Sequence, residues 1–172
     1  LVTGLRLNTV MPIKGTPHDT LRRLSGYGVP LWVDLKGRQL RVVGAAIPPF
    51  TEVRVSHPLS VETPADCFFD DGREYARVLE VEGDRLILED TPRRFVGPGE
   101  SLNIVHPSLK IEGTLTPTDK GYLSAMKDLG MTRVMLSYCE EVSDVEEVKA
   151  LLPGAVFIGF TGTPLLKQDK AT

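Results

Sequence analysis

One short signal opens a helix more than once in this chain, and each time an apolar strand follows. Thr16-Pro17-His18-Asp19 offers a hydroxyl that can cap the first free amide groups, a proline at the first helical position and a carboxylate at the third. Leu21 and Leu24 continue at helical spacing, Gly26 and Gly28 end the helix, and residues 29–35 form a short buried run. Thr116-Pro117-Thr118-Asp119 repeats the start almost letter for letter. Leu123, Met126 and Leu129 form its stripe, Gly130 its stop and residues 132–138 its strand. Ser143-Asp144-Val145-Glu146 has the form of a capping box, with Val148, Leu151 and Leu152 behind it. Pro153-Gly154 then breaks that helix before a strand over 155–160. Residues 2–7 supply one further strand ahead of the first helix. Helix leading straight into strand, repeated along a chain, marks a parallel α/β sheet.

From residue 39 to 105 the grammar changes to short alternating runs separated by proline and glycine, with no helical stripe. Residues 40–43 and 52–55 read as strands, and residues 74–89 as a β-hairpin turning at Glu82-Gly83-Asp84. Loops that follow parallel strands line the active face of such folds, so a β module inserted there is placed to act as a lid. The expected class is α/β: partial TIM-barrel-like (βα) units over 1–38 and 106–172, interrupted by a barrel-like β lid over 39–105. A length of 172 residues, 41% of them hydrophobic, supports a core. It falls short of the about 250 residues that a complete eight-stranded barrel needs. Four candidate strands would leave open edges and one apolar sheet face. A second copy, another polypeptide or a local segment such as 163–166 is then required as cover. The polar stretch 167–172 is expected to fray.

A net charge of -3 and a pI near 5.7 leave no footprint of a nucleic-acid binder. No apolar run approaches the roughly 18 residues of a membrane span, and no signal-peptide pattern is visible, which points to the cytoplasm. Leu1 in place of methionine suggests a native start further upstream. Cys67 and Cys139 lie far apart without metal-ligand spacing, against a disulfide scaffold or a zinc ribbon. His18, His57 and His106 are scattered, and two of them directly precede proline, as loop residues do rather than catalytic bases.

Gly4-Leu5-Arg6-Leu7-Asn8, then Val33-Asp34-Leu35-Lys36-Gly37 with Leu40-Arg41, resembles two strand ends of the pyruvate kinase family. Phe69-Asp70-Asp71-Gly72 is similar to that family's lid motif, and Leu136-Ser137-Tyr138 with Ser143-Asp144-Val145-Glu146-Glu147-Val148 to a later strand end and helix. Order and spacing match from Leu1 to about Phe160. The resemblance implies a glycolytic phosphotransferase scaffold of barrel and lid. It makes Arg6 a phosphate contact, a role for which a planar guanidinium with paired donors is suited. It makes Asn8 and Asp34 oxygen ligands of a monovalent cation, K⁺. Lys36 and Arg41 become basic residues on the nucleotide and phosphate side, and Asp71 a lid carboxylate over the substrates. The residues alone leave other options: Arg6 could pair with Asp34, and Lys36 and Arg41 could be solvated cations flanking a glycine turn.

The chain also departs from that family. Phosphoryl transfer relies on a lysine and a metal, here Mg²⁺, held by acidic residues. By register, Gly159 stands at the lysine position and Thr161 at the first metal-binding glutamate. Loss of comparable electrostatic groups costs on the order of 10² to 10³ in rate for each one. Val10 and Leu35 replace two further cation ligands. The sequence therefore suggests a pyruvate-kinase-like protein without transfer activity by itself, binding a small phosphorylated metabolite or nucleotide in a sensor or regulatory role. Its alternatives are a fragment of an active kinase, which transfers phosphate from phosphoenolpyruvate to ADP, and a non-catalytic assembly module. In each case a homo-oligomer or a partner chain would complete the barrel.

Overall fold

The computed structural model describes residues 2–10, 13–44, 47–90 and 92–158. The chain opens with β1 (Leu5–Asn8), α1 (Pro17–Ser25) and β2 (Leu31–Leu35). A β-rich stretch follows: β3 (Glu52–Arg54), β4 (Leu59–Ser60), β5 (Ala65–Phe69), β6 (Glu74–Glu82), β7 (Arg85–Leu88), β8 (Leu102–Val105) and β9 (Lys110–Ile111). It closes with α2 (Pro117–Asp128), β10 (Arg133–Leu136), α3 (Val142–Leu151) and β11 (Val156–Ile158).

β1, β2, β10 and β11 form one parallel four-stranded sheet in that order. Its register sets Asn8 beside Asp34, Arg6 beside Trp32 and Met135 beside Asp34. Leu31, Val33, Leu35 and Val134 pack from one face onto Leu21, Leu123, Met126 and Val148 of the three helices. Because side chains alternate along a strand, the opposite face receives Arg6, Asn8, Trp32, Asp34, Arg133, Met135 and the exposed Val156. That face is mixed rather than apolar, which corrects the sequence expectation. Charged side chains pointing inward are one way a sheet avoids sticky association. The proposed cover at 163–166 lies outside the described residues.

The second sheet, β3-β7-β6-β5-β8, is antiparallel and lies in sequence between β2 and α2, with a two-stranded β4–β9 ribbon beside it. Its separate core includes Val53, Cys67, Phe69, Val78, Leu86 and Leu102. Burial pushes the Cys67 thiol up to about 12, so this side chain behaves as a packed apolar group. The hairpin turns at Gly83, whose φ of 60° suits glycine, and it carries a register shift between Val78 and Glu80. Residues 40–43 do not form the expected strand and make only isolated bridges, Arg41 to Ser101 and Val42 to Val55. The Arg41 amide donates to Ser56 Oγ at 3.1 Å instead of to a ladder carbonyl.

α1 and α2 start as their sequences require, with Thr16 and Thr116 as N-caps, proline in the first turn, and Asp19 and Asp119 completing capping boxes. α3 starts earlier than its motif suggests: Glu141 is the N-cap, and Asp144, not Glu146, is the third helical residue. The carboxylate of Asp144 accepts the amide groups of Glu140 and Glu141 at 2.8 and 3.0 Å, which draws the first turn upstream. Among the described residues no helix is long and apolar enough to cross a membrane.

Candidate functional site

The C-terminal ends of β1, β2 and β10 form a rim where the chemistry-bearing side chains gather. Asp34, 5% exposed, is its centre. Arg6 donates Nε to Asp34 Oδ2 at 2.9 Å and turns Nη2 to the same oxygen. Ser137 Oγ faces the other oxygen at 3.4 Å, while Thr9 donates both its amide and its hydroxyl to the Asp34 carbonyl at 3.1 and 2.8 Å. Asn8 sits next to Asp34 in the register, but its Oδ1 accepts the Val10 amide at 3.0 Å. Pairing of Arg6 with Asp34, one of the two options open in the sequence, is what forms. It uses one edge of the guanidinium, and the side chain remains 58% exposed.

Lys36 and Arg41 take different places. The Lys36 amide donates to Asp119 Oδ1 at 2.8 Å, which ties the loop after β2 to the start of α2. No ion pair joins the Lys36 ammonium to another described residue. Arg41 reaches away from Asp34: Nη1 donates to the Gly99 carbonyl at 2.8 Å and Nη2 to Gln39 Oε1. Gln39 in turn donates to Tyr138 Oη at 2.9 Å, so a polar chain crosses from the antiparallel module to the end of β10. Asp71 lies in the tight turn Asp70–Gly72, against β5, β6 and β8 of its own sheet. The six residues thus split into three groups: Arg6, Asn8 and Asp34 together, Lys36 and Arg41 toward the 97–99 turn, and Asp71 in the module.

A cavity of about 590 Å³ opens beside the rim between the starts of α1 and α2 and the 97–99 turn, and Thr9 and Lys36 border it. Among the described non-glycine residues only Asp70 and Tyr138 have positive φ, 48° and 57°. Both fall within motifs that carry the sequence resemblance. Held strain of this kind costs on the order of 1–3 kcal/mol and clusters at binding sites.

The oxygen donors at the rim do not fit a monovalent cation. Asp34 is already neutralised by Arg6, the Asn8 oxygen is engaged, and Val10 and Leu35 offer no side-chain oxygen. Among the described residues no group of three His, Cys, Asp or Glu side chains is placed to hold a metal. Gly159 and Thr161 lie outside the described residues.

Asp119, Asp144 and Arg38 escaped sequence reasoning as site-building residues. The capping patterns of Asp119 and Asp144 are visible in the sequence, but not the partner each acquires across the fold, and nothing singles out Arg38. Arg38, next to the rim, donates Nε and Nη2 to Asp144 Oδ1 at 2.9 and 2.5 Å and Nη1 to the Ile111 carbonyl at 3.1 Å.

Parallel strands, the first three of them leading to a helix and the second doing so only after an antiparallel module, define a mixed α/β protein with its candidate site at the strand ends. That arrangement is the pyruvate-kinase-like fold. The crystal structure of pyruvate kinase from Pyrobaculum aerophilum matches over 91% of this chain with a TM-score of 0.52 and 19% identity. Cryptosporidium parvum pyruvate kinase matches over 87% with a TM-score of 0.61 and 16% identity. The chain spans 41% and 37% of those two proteins. No family model and no curated protein sequence matches it.

Proposed function

We propose that this chain binds a small phosphorylated metabolite or nucleotide at the rim and does not transfer phosphate by itself. The observation that carries the proposal is charge left over after the internal pairing: Lys36 has no ion-pair partner among the described residues, and Arg6 keeps an outer edge in solvent. A guanidinium edge with paired donors and an ammonium are both groups that suit a phosphate. Asp34 orients Arg6, Thr9 fixes the Asp34 backbone, and Arg41 positions the 97–99 turn rather than touching the anion. The absence of transfer rests on the sequence register of Gly159 and Thr161, which supply neither a cation nor a carboxylate.

Calorimetry with phosphoenolpyruvate, ADP and inorganic phosphate tests this. Binding that Arg6→Ala and Lys36→Met each weaken at least about tenfold, equivalent to about 1.4 kcal/mol, is the expected result. No heat with any of the three ligands removes the proposal. A second role has one observation in its favour: the chain spans about two fifths of the kinases it resembles. As part of a larger kinase it would gain the missing charges from other strands. Turnover in a coupled assay with Mg²⁺ and K⁺, on addition of a partner chain, would replace the non-catalytic role with this one.

A further inference from the structure

We propose that the cavity beside the rim binds the apolar ring of a small acid whose phosphate or carboxylate meets Lys36. This deepens the rim site and rests on it, adding what the rest of the ligand must be. A volume of about 590 Å³ is within the usual range of small-molecule sites, about 300–1,000 Å³. Val10, Ile13, Pro17, Pro98 and Pro117 build the wall, and among the described residues Lys36 is the one charged group bordering the space. Charge complementarity therefore selects an anion with a hydrocarbon body.

The helix starts do not attract the anion themselves. Asp19 and Asp119 occupy them as capping carboxylates, and Asp119 is fully buried with its oxygens taken by the Lys36 amide and by the amide and hydroxyl of Thr116. That leaves the Lys36 ammonium as the anchor. The wall also argues against a nucleobase. Three of its five apolar side chains are proline, which has no amide hydrogen. Along those three prolines the ring nitrogens of a base would meet no amide donor, an unfavourable state for a buried polar group. Tyr122 borders the same space, 1% exposed, and its hydroxyl has no partner among the described residues. A polar substituent on the ring is the group that could supply one. Gly99, held by Arg41, makes the 97–99 turn part of the enclosure, so an occupied cavity joins the antiparallel module to α1 and α2.

Calorimetry on the full chain with phenyl phosphate against inorganic phosphate, and benzoate against acetate, separates ring from head group. The ring is expected to tighten binding about 10- to 100-fold within at least one pair, the gain typical of burying one apolar side chain. The pair that shows it identifies the head group as phosphate or carboxylate. Gly121→Leu should remove that gain and leave inorganic phosphate unchanged. A Cβ at Gly121 would meet only Pro17 Cγ, at 3.9 Å, so the larger side chain can enter the cavity without a backbone clash. Thr118→Tyr, on the exposed first turn of α2, makes the same test if the first variant fails to fold. Phosphate binding with no ring preference in either pair overturns this proposal and leaves the rim site standing. Silence of every ligand removes both. A gain of ADP over pyrophosphate as large as that of phenyl phosphate over phosphate would overturn the hydrocarbon assignment.

Discussion

Asp144→Asn is expected to destabilise the protein by about 3–5 kcal/mol, the range found when one partner of a buried ion pair is removed. The carboxylate is fully buried and Arg38 is only 14% exposed. Thr114 Oγ1 also donates to it at 2.6 Å, alongside Arg38 and the amide groups of Glu140 and Glu141. An asparagine of the same shape keeps one oxygen but presents an NH₂ group to donors, and it leaves the guanidinium without a counter-charge. The position magnifies the effect. Arg38 lies on the way out of β2 into the antiparallel module, while Ile111 and Thr114 lie on the way back, so Asp144 and Arg38 fasten both crossings at one point. For a chain of this size the loss corresponds to a fall in Tm of about 6–20 °C. Thermal unfolding of wild type, Asp144→Asn, Arg38→Met and the double variant measures it. A loss below about 1 kcal/mol would show that water replaces the pair without penalty.

The same residue sets an acid limit. Burial alone pushes the Asp144 carboxyl up, but hydrogen bonds from Thr114, Arg38 and the two amide groups outweigh it and hold the group well below the ordinary carboxylate range. A depressed folded value contributes stability that is complete above the unfolded value, about 3.9, and is lost as the pH falls through the folded one. Wild type should therefore lose stability on acidification more steeply than Asp144→Asn, and the two curves should converge at low pH.

What was legible in the sequence was local. Thr16-Pro17-His18-Asp19 and its repeat at 116 name a cap, a first-turn proline and a third-residue carboxylate within four positions, and both helices start there. The glycine turn of the β6–β7 hairpin is equally short-range. The second contacts were not legible, because they join residues far apart in the chain. Asp119 meets the Lys36 amide across 83 positions and Asp144 meets Arg38 across 106. A capping motif states that a carboxylate is present at the helix start, and says nothing of its unused oxygen. The shift of α3 to Glu141 follows from the same blindness, since the demand of Arg38 and Thr114 on Asp144 is invisible at Ser143. At the site, the register of β1 and β2 sets Asn8 beside Asp34, while the Asn8 oxygen accepts the Val10 amide. Arg41 went to the 97–99 turn because Gly99 offered a carbonyl that only the folded module could bring near.

Gly37→Ala tests whether the rim depends on close backbone approach, and a loss of about 3–5 kcal/mol is expected, summing backbone strain and overpacking. Gly37 has a φ of 59°, and a Cβ there would stand 2.4 Å from the Ser137 carbonyl oxygen, a backbone atom that cannot rotate away. Gly28 is the control: its φ is 70°, but nothing lies within 4 Å of its missing Cβ. Gly28→Ala should therefore show the conformational term alone, about 1–2 kcal/mol. The difference between the two variants isolates the contact between the loop after β2 and the end of β10. That contact matters beyond stability, because Gly37 sits between Lys36, held by Asp119, and Arg38, held by Asp144. Relief of the clash must move one of these anchors, and displacement of Lys36 would shift a residue that borders the cavity. Phosphate affinity should thus fall in Gly37→Ala and stay level in Gly28→Ala. Equal losses of stability in both variants, with binding intact in both, would show that the rim tolerates a wider gap than the glycine enforces.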